Sequence, residues 1–262
     1  MFFKYASFLS LGILPLASLT AQFSFDFTED EGFEAGDLVD SFDWAGSRNS
    51  FFVNLEGEGS LVINPTEPYR VARFEGADSF FEDAGLELSM RFRLVFEGGK
   101  SADIGENNAA ALGLVQFENL IDTREFAGAG LRQTGGAGPG TFNFAIWNRM
   151  DGKNASDFAS MFLASDLGLS YDDATGNWTN GQSDALELVY SLSEVEDGWA
   201  ETASLKNTAT GVILAKAAQV TPDSDGSFSG NPKGFRFNSA QISKFPVAVH
   251  VDKITVTPIA KD

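Results

Sequence analysis

Hydrophobic and polar positions alternate over long stretches of this chain. In Leu86-Glu87-Leu88-Ser89-Met90-Arg91-Phe92-Arg93-Leu94-Val95-Phe96 every even-numbered position is apolar. A period of two sends successive side chains to opposite faces of a strand, so Glu87, Ser89, Arg91 and Arg93 share the face away from the core. The run from Thr141 to Arg149 repeats the pattern, with Phe142, Phe144 and Ile146 inward and Asn143, Ala145, Trp147 and Arg149 opposite. A third run, Asp184 to Leu192, leads to Glu196-Asp197-Gly198-Trp199, where Asp-Gly predicts a tight hairpin. Its return strand is expected over Ala200 to Lys206, followed by a turn at Asn207 to Gly211 and a strand at Val212 to Ala215. The last strands are predicted at Gly234 to Ser239 and Pro246 to Pro258.

Turn-forming residues crowd the segments Glu97 to Asn108, Gly135 to Gly140, Tyr171 to Ser183 and Thr221 to Lys233, which read as loops. Ala155 to Leu169 is the stretch that suits a short helix, capped by Ser156 or Asp157. Many strands and little helix predict an all-β, two-sheet antiparallel sandwich. No repeat or linker divides the chain, so 22–262 is expected as a single domain. The acidic stretch Asp26 to Asp43 belongs to the sandwich edge, because Phe27, Phe33 and Phe42 interrupt it.

The first residues have a different pattern. Lys4 precedes an apolar run from Ala6 to Leu19, and Ser18-Leu19-Thr20-Ala21 offers small residues before a cut at Gln22. Residues 1–21 are expected to be a secretory signal peptide, and the run is shorter than the roughly 20 apolar residues of a spanning helix. The expected product is a secreted or periplasmic bacterial protein without a membrane span. Its net charge would move from −19 to −20 as Lys4 leaves.

Composition narrows the chemistry. With 37 Asp+Glu against 18 Lys+Arg, the chain is a poor match for nucleic acid. Having no Cys and one His, it can form neither a disulfide framework nor a thiolate or multi-histidine metal centre. Phe occurs 25 times, enough to fill a core without disulfides.

The order of features resembles concanavalin A-like (laminin G-like) jelly rolls of exported bacterial proteins. The opening Phe23-Ser24-Phe25-Asp26-Phe27, then Trp44 and Gly59 to Ile63, is similar to their first strands. Phe80 to Leu88 resembles their first long core strand, and Leu186 to Leu192, Glu201 to Ala215 and Val249 to Val256 resemble the closing ones. The resemblance implies two curved sheets, frequently with a glycan groove on the concave face. It does not imply catalysis, since one such fold hosts lectins, hydrolases, lyases and inert modules.

Catalytic patterns are weak. The Glu-x-Asp-x-x-Glu spacing of the superfamily's glucanases, which sets two carboxyls about 5–5.5 Å apart, is missing from the apolar strands. Glu194, Glu196, Asp197 and Glu201 straddle the hairpin and read as a solvated cluster. His250, beside Asp252, is the sole candidate for the proton abstraction of a lyase, with Tyr190 and Arg93 as conceivable companions. Binding is better supported. An indole on the polar face of a sheet stacks on a sugar ring while amides and guanidinium groups hold its hydroxyls. Trp147, Asn143 and Arg149 form that set, with Arg91 and Arg93 as further outward cations. Tyr171 and Trp178 mark a second aromatic site. Calcium, which takes 6–8 oxygens, is the candidate cation, with Asp26 and Asp252 or Asp172 and Asp173 as ligand sets. The expected function is a non-catalytic polysaccharide-binding or cell-surface module. The alternatives are a glycan-active hydrolase or lyase, and a structural surface protein.

Overall fold

The computed structural model describes residues 23–38, 44–45, 51–55, 60–63, 73–74, 85–102, 108–115, 126–133, 140–148, 155–196, 198–222, 234–238 and 247–259. The expected signal peptide lies outside them. The early strands are short: β1 (Phe23–Phe25), β2 (Gly36–Asp37), β3 (Trp44–Ala45), β4 (Phe51–Asn54), β5 (Ser60–Ile63) and β6 (Arg73–Phe74). Longer ones follow: β7 (Gly85–Phe96), β8 (Asn108–Val115), β9 (Phe126–Gln133), β10 (Thr141–Asn148) and β11 (Ala155–Leu163). A small hairpin, β12 (Ser170–Asp172) and β13 (Asn177–Asn180), precedes β14 (Leu186–Val195), β15 (Gly198–Asn207) and β16 (Ile213–Pro222). The chain closes with β17 (Gly234–Asn238) and β18 (Val247–Ile259).

Apart from the β12–β13 hairpin, these strands form two antiparallel sheets. The larger, nine-stranded sheet runs β16-β15-β14-β7-β18-β5-β4-β2, with β1 pairing β18 beyond β5. The seven-stranded sheet runs β11-β10-β9-β8-β17-β6-β3. Strands β7, β14 and β18 pack across the sandwich onto β8, and β14 also onto β9. The alternation predicted for β7 holds along its length: Leu86, Leu88, Met90, Phe92, Leu94 and Phe96 are buried while Glu87, Arg91 and Arg93 are exposed. Phe92 and Phe144, one from each sheet, are both 0% exposed, and each such burial is worth about 1.5–3 kcal/mol.

Two local expectations change. Ala155 to Leu169 is not a helix: it forms β11 and then a 3-10 turn over Ala164–Leu167. Phe158, Met161 and Phe162 have helical spacing, but the segment instead completes the edge of the sheet against β10, where Phe162 pairs with Phe142. Tertiary pairing overrides local preference there. The hairpin is shifted by one residue, since Val195 pairs with Gly198 and Gly198 already belongs to the return strand. Finally, β8 and β9 show no alternation because both of their faces are buried; Ala111, Leu112 and Leu114 are all within 1% exposed.

Candidate functional site

The outer face of the seven-stranded sheet follows from β10. Phe142, Phe144 and Ile146 enter the core, together with Leu112 and Leu114 of β8. The intervening positions point the other way. Ala111, Asn143 and Ala145 are nevertheless buried, at 1%, 6% and 0% exposed, and Ala111 and Ala145 are separate from the core cluster. Register aligns them in cross-strand rows. Ala111, Gly130 and Ala145 stand opposite one another, as do Gly113, Gly128 and Trp147, and as do Asn108, Arg132 and Asn143. The middle of this face is therefore a floor of glycine and alanine with larger residues at its margins. Gly130 is required there, because a Cβ would strike the carbonyl oxygen of Ala110 and the Cβ of Ala111.

The sequence-derived site residues divide between the two sheets. Asn143 lies on this floor, and position 147 continues its row through Gly128 to Gly113. The side chains of Trp147 and Arg149 fall outside the described residues. Arg91 and Arg93 do not join them: they are exposed on β7 of the other sheet, opposite Glu187 and His250 respectively. Alternation shows which residues leave the core, but both sheets have an outward face, and the two faces look in opposite directions. Arg73 and Arg236, by contrast, are brought to the Gly113 row by pairing alone. The period-two signal of Gly234 to Asn238 predicts a face for Arg236 without predicting its neighbours.

Trp178 is a packing residue rather than a second stacking site. It is 3% exposed and stacks on Phe96 with ring centroids 4.5 Å apart. Tyr171 meets it edge-on at 6.2 Å, is half-buried, and covers Gly140, where a Cβ would strike the Tyr171 ring and where a φ of 72° favours glycine. The β12–β13 hairpin is tied to the end of β7 by Gly99 N donating to the Trp178 carbonyl (3.0 Å) and Trp178 N to the Lys100 carbonyl (2.9 Å). The aromatic loop thus closes one end of the core.

The acidic candidates are engaged locally. Asp26 pairs with Lys253 at 2.9 Å, and Asp252 sits at the β-bulge between Val251 and Lys253. Asp172 accepts from Ala174 N and Thr175 Oγ1, both at 2.9 Å, and these bonds hold its carboxyl below the usual aspartate value. Asp173 is exposed beside it. Among the described residues no three acidic or histidine side chains converge on one point. His250 is half-buried on the outer face of the nine-stranded sheet; burial, opposed by Asp252 and reinforced by Arg93, lowers its pKa.

Glu201 departs from the solvated cluster expected around the hairpin. Glu194 and Glu196 are exposed, but Glu201 has the parity of Ala203 and Leu205 and is 0% exposed. It accepts a 2.7 Å bond from Tyr190 Oη and a 2.8 Å bond from Gln219 Nε2. Burial and the Glu201 charge push the Tyr190 hydroxyl well above its ordinary value. This Tyr–Glu pair has acid–base character, but it is sealed between the sheets, where no glycan reaches it. A separate shallow cleft of about 460 Å³ on the outer face of the nine-stranded sheet is lined by Glu87, Ser191, Thr202, Ser204 and Lys216, with no aromatic ring.

Solved structures share this arrangement. The Lotus tetragonolobus seed lectin matches with a TM-score of 0.52 at 9% identity, over 92% of this chain and 100% of that one. The fold is concanavalin A-like. An alginate lyase from Klebsiella pneumoniae matches at 0.45 and 14% identity, over 82% of this chain and 87% of that one. An engineered GH43 glycoside hydrolase with endo-xylanase and exo-arabinofuranosidase activity matches at 0.43 and 14% identity, over 80% of this chain; the chain spans 36% of that enzyme. No protein-family model and no curated protein sequence matches. At such identities the likeness is one of fold, and a fold is compatible with binding or catalysis. No helix of the described residues is long and apolar enough to cross a membrane.

Proposed function

We propose that this chain is an exported, non-catalytic β-sandwich module that holds polysaccharide on the outer face of its seven-stranded sheet, at a bacterial cell surface or in the medium. The observation that carries this reading is the row Gly113–Gly128–Trp147. Two residues without side chains stand beside position 147; both are buried, so the proposed contact is with the Trp147 margin of the row rather than with its middle. Asn143 and Arg132, four residues along the same strands from Trp147 and Gly128, carry amide and guanidinium groups suited to hydroxyls. Export belongs to the same proposal, with residues 1–21 removed before Gln22.

The test is incubation with a panel of polysaccharides. Retention without product supports binding, whereas new reducing ends or unsaturated sugars would make the chain an enzyme. Trp147→Ala is expected to weaken retention about tenfold, since stacking contacts of this kind are worth on the order of 1 kcal/mol or more. Unchanged retention would remove the site assignment, and no retention of any glycan would leave the structural-protein alternative. N-terminal sequencing of secreted protein should begin at Gln22.

A further inference from the structure

The cleft on the outer face of the nine-stranded sheet has a layout set by strand register. Glu87, Ser191 and Thr202 form one cross-strand row over β7, β14 and β15, and Val189, Ser204 and Lys216 form the next over β14, β15 and β16. Four short side chains therefore lie between two long charged ones, Glu87 at the β7 end and Lys216 at the β16 end. At about 4.8 Å per strand the trough runs roughly 14 Å between those ends. Its volume of about 460 Å³ falls within the roughly 300–1,000 Å³ of small-ligand sites. All of these residues sit on paired strands, so the wall is rigid.

The polar groups of the cleft are not spent on one another. Ser191 Oγ donates to Glu87 Oε2 at 3.1 Å. The other Glu87 oxygen and the hydroxyls of Thr202 and Ser204 make no side-chain hydrogen bond among the described residues. Lys216 is exposed, and Lys206, diagonal to it on β15, is half-buried. Neither lysine makes an ion pair among the described residues, although acids outnumber bases by 37 to 18 and Glu187 stands opposite Lys206 on β14.

We infer that this cleft is a second glycan site, facing away from the one proposed above, and that it takes an acidic oligosaccharide whose sugars bear carboxylate or sulfate groups. The two ends of the trough differ in what they recognise. Lysine ammonium groups at the β16 end pair with an anionic group through charge-assisted bonds. At the β7 end the Glu87 carboxylate accepts from sugar hydroxyls, while Ser and Thr hydroxyls along the floor both donate and accept. Glu87 repels an anionic group at its own end, and Glu187 offsets part of the Lys206 charge. The ligand is thus held in one direction, with its anionic group over Lys216. The net charge of −19 opposes a polyanion at long range, and about 0.15 M salt, with a Debye length of about 8 Å, screens that opposition. Nothing in this site involves the seven-stranded sheet, so it is tested apart from the function proposed above.

The experiment measures affinity by calorimetry at that ionic strength for trigalacturonate, its methyl ester, a sulfated galactose trisaccharide and sodium sulfate. One of the two acidic sugars is expected to bind about tenfold or more tightly than the methyl ester, the scale of a charge-assisted bond, and which one does so distinguishes carboxylate from sulfate. Lys216→Gln should weaken that binding about tenfold, and Lys206→Gln less. Trp147→Ala, on the other sheet, should bind as the parent does. Melting curves identify a variant that fails to fold; if Lys216→Gln does, Lys206→Gln decides. Equal binding of the methyl ester, an unchanged affinity in the deciding lysine variant, or no binding of either acidic sugar overturns the inference. Loss of binding in Trp147→Ala also overturns it, by placing the sugar on the seven-stranded sheet. Sulfate ion bound as tightly as the sugars overturns it too, by reducing the cleft to a simple anion site.

Discussion

Replacing Tyr190 with Phe tests the polar triad between the sheets. The ring keeps its place in the core, and the change deletes one hydroxyl, which donates a 2.7 Å bond to Glu201 Oε1 in a site where both residues are 0% exposed. A buried bond to a charged group contributes about 1.5–3 kcal/mol, and removing the donor leaves the acceptor under-solvated. Gln219 still donates to the other oxygen at 2.8 Å, so about 2 kcal/mol is expected, or roughly 4–8 °C in Tm for a domain of this size. The alkaline limb provides a sharper readout. Burial first, and then Glu201, raises the Tyr190 pKa above the ordinary 10. The unfolded chain therefore releases this proton before the folded one does. The resulting stability is fully present below pH 10 and declines above it, by up to about 1.4 kcal/mol per pH unit for this one group. Tyr190→Phe lacks that decline, so the gap between parent and variant should narrow above pH 10. Urea denaturation followed by circular dichroism at pH 7, 9 and above 10 measures it. Equal stability at pH 7, or a gap that does not change across pH 10, would refute the assignment.

Other consequences are simpler. Trp178→Ala should lower stability by about 3–5 kcal/mol through loss of the Phe96 stack, and the folded fraction should retain glycan as the parent does; a selective loss of retention would restore Trp178 to the site. Gly130→Ala should cost about 1–3 kcal/mol by overpacking against Ala110 and Ala111, read from the urea midpoint, and an unchanged midpoint would show that the floor is looser than described. The His250 pKa is lowered by burial, so its contribution is present above the unfolded value near 6.5 and is lost as pH falls through the folded one. His250→Gln should flatten that acid decline, and identical slopes would contradict it.

Much of the architecture was legible because alternation has only one stable reading once a core exists. Even positions from Leu86 to Phe96 had to be buried, and the Phe142, Phe144 and Ile146 face had to meet them. Strands β8 and β9 were illegible for the same physical reason: Ala, Gly and Leu buried on both faces leave no polar contrast to read. Ala155 to Leu163 misled because its apolar residues fit a helical period, and only the open edge of β10 made a strand the better solution. Glu201 could have been recognised as buried from its parity with Ala203 and Leu205, which outweighs the nearby run of acids.

What the sequence determined by itself was the face on which each side chain lies, since that depends only on neighbours along the chain. The partner strand depends on contacts between residues far apart in sequence. Arg91 and Trp147 are both outward by parity, yet they look in opposite directions from different sheets. Arg73 and Arg236, more than half the chain apart, meet across a single cross-strand pair. Pairing of this kind is chosen by the whole sandwich closing over its phenylalanines, so the composition of the outer floor was decided only in three dimensions.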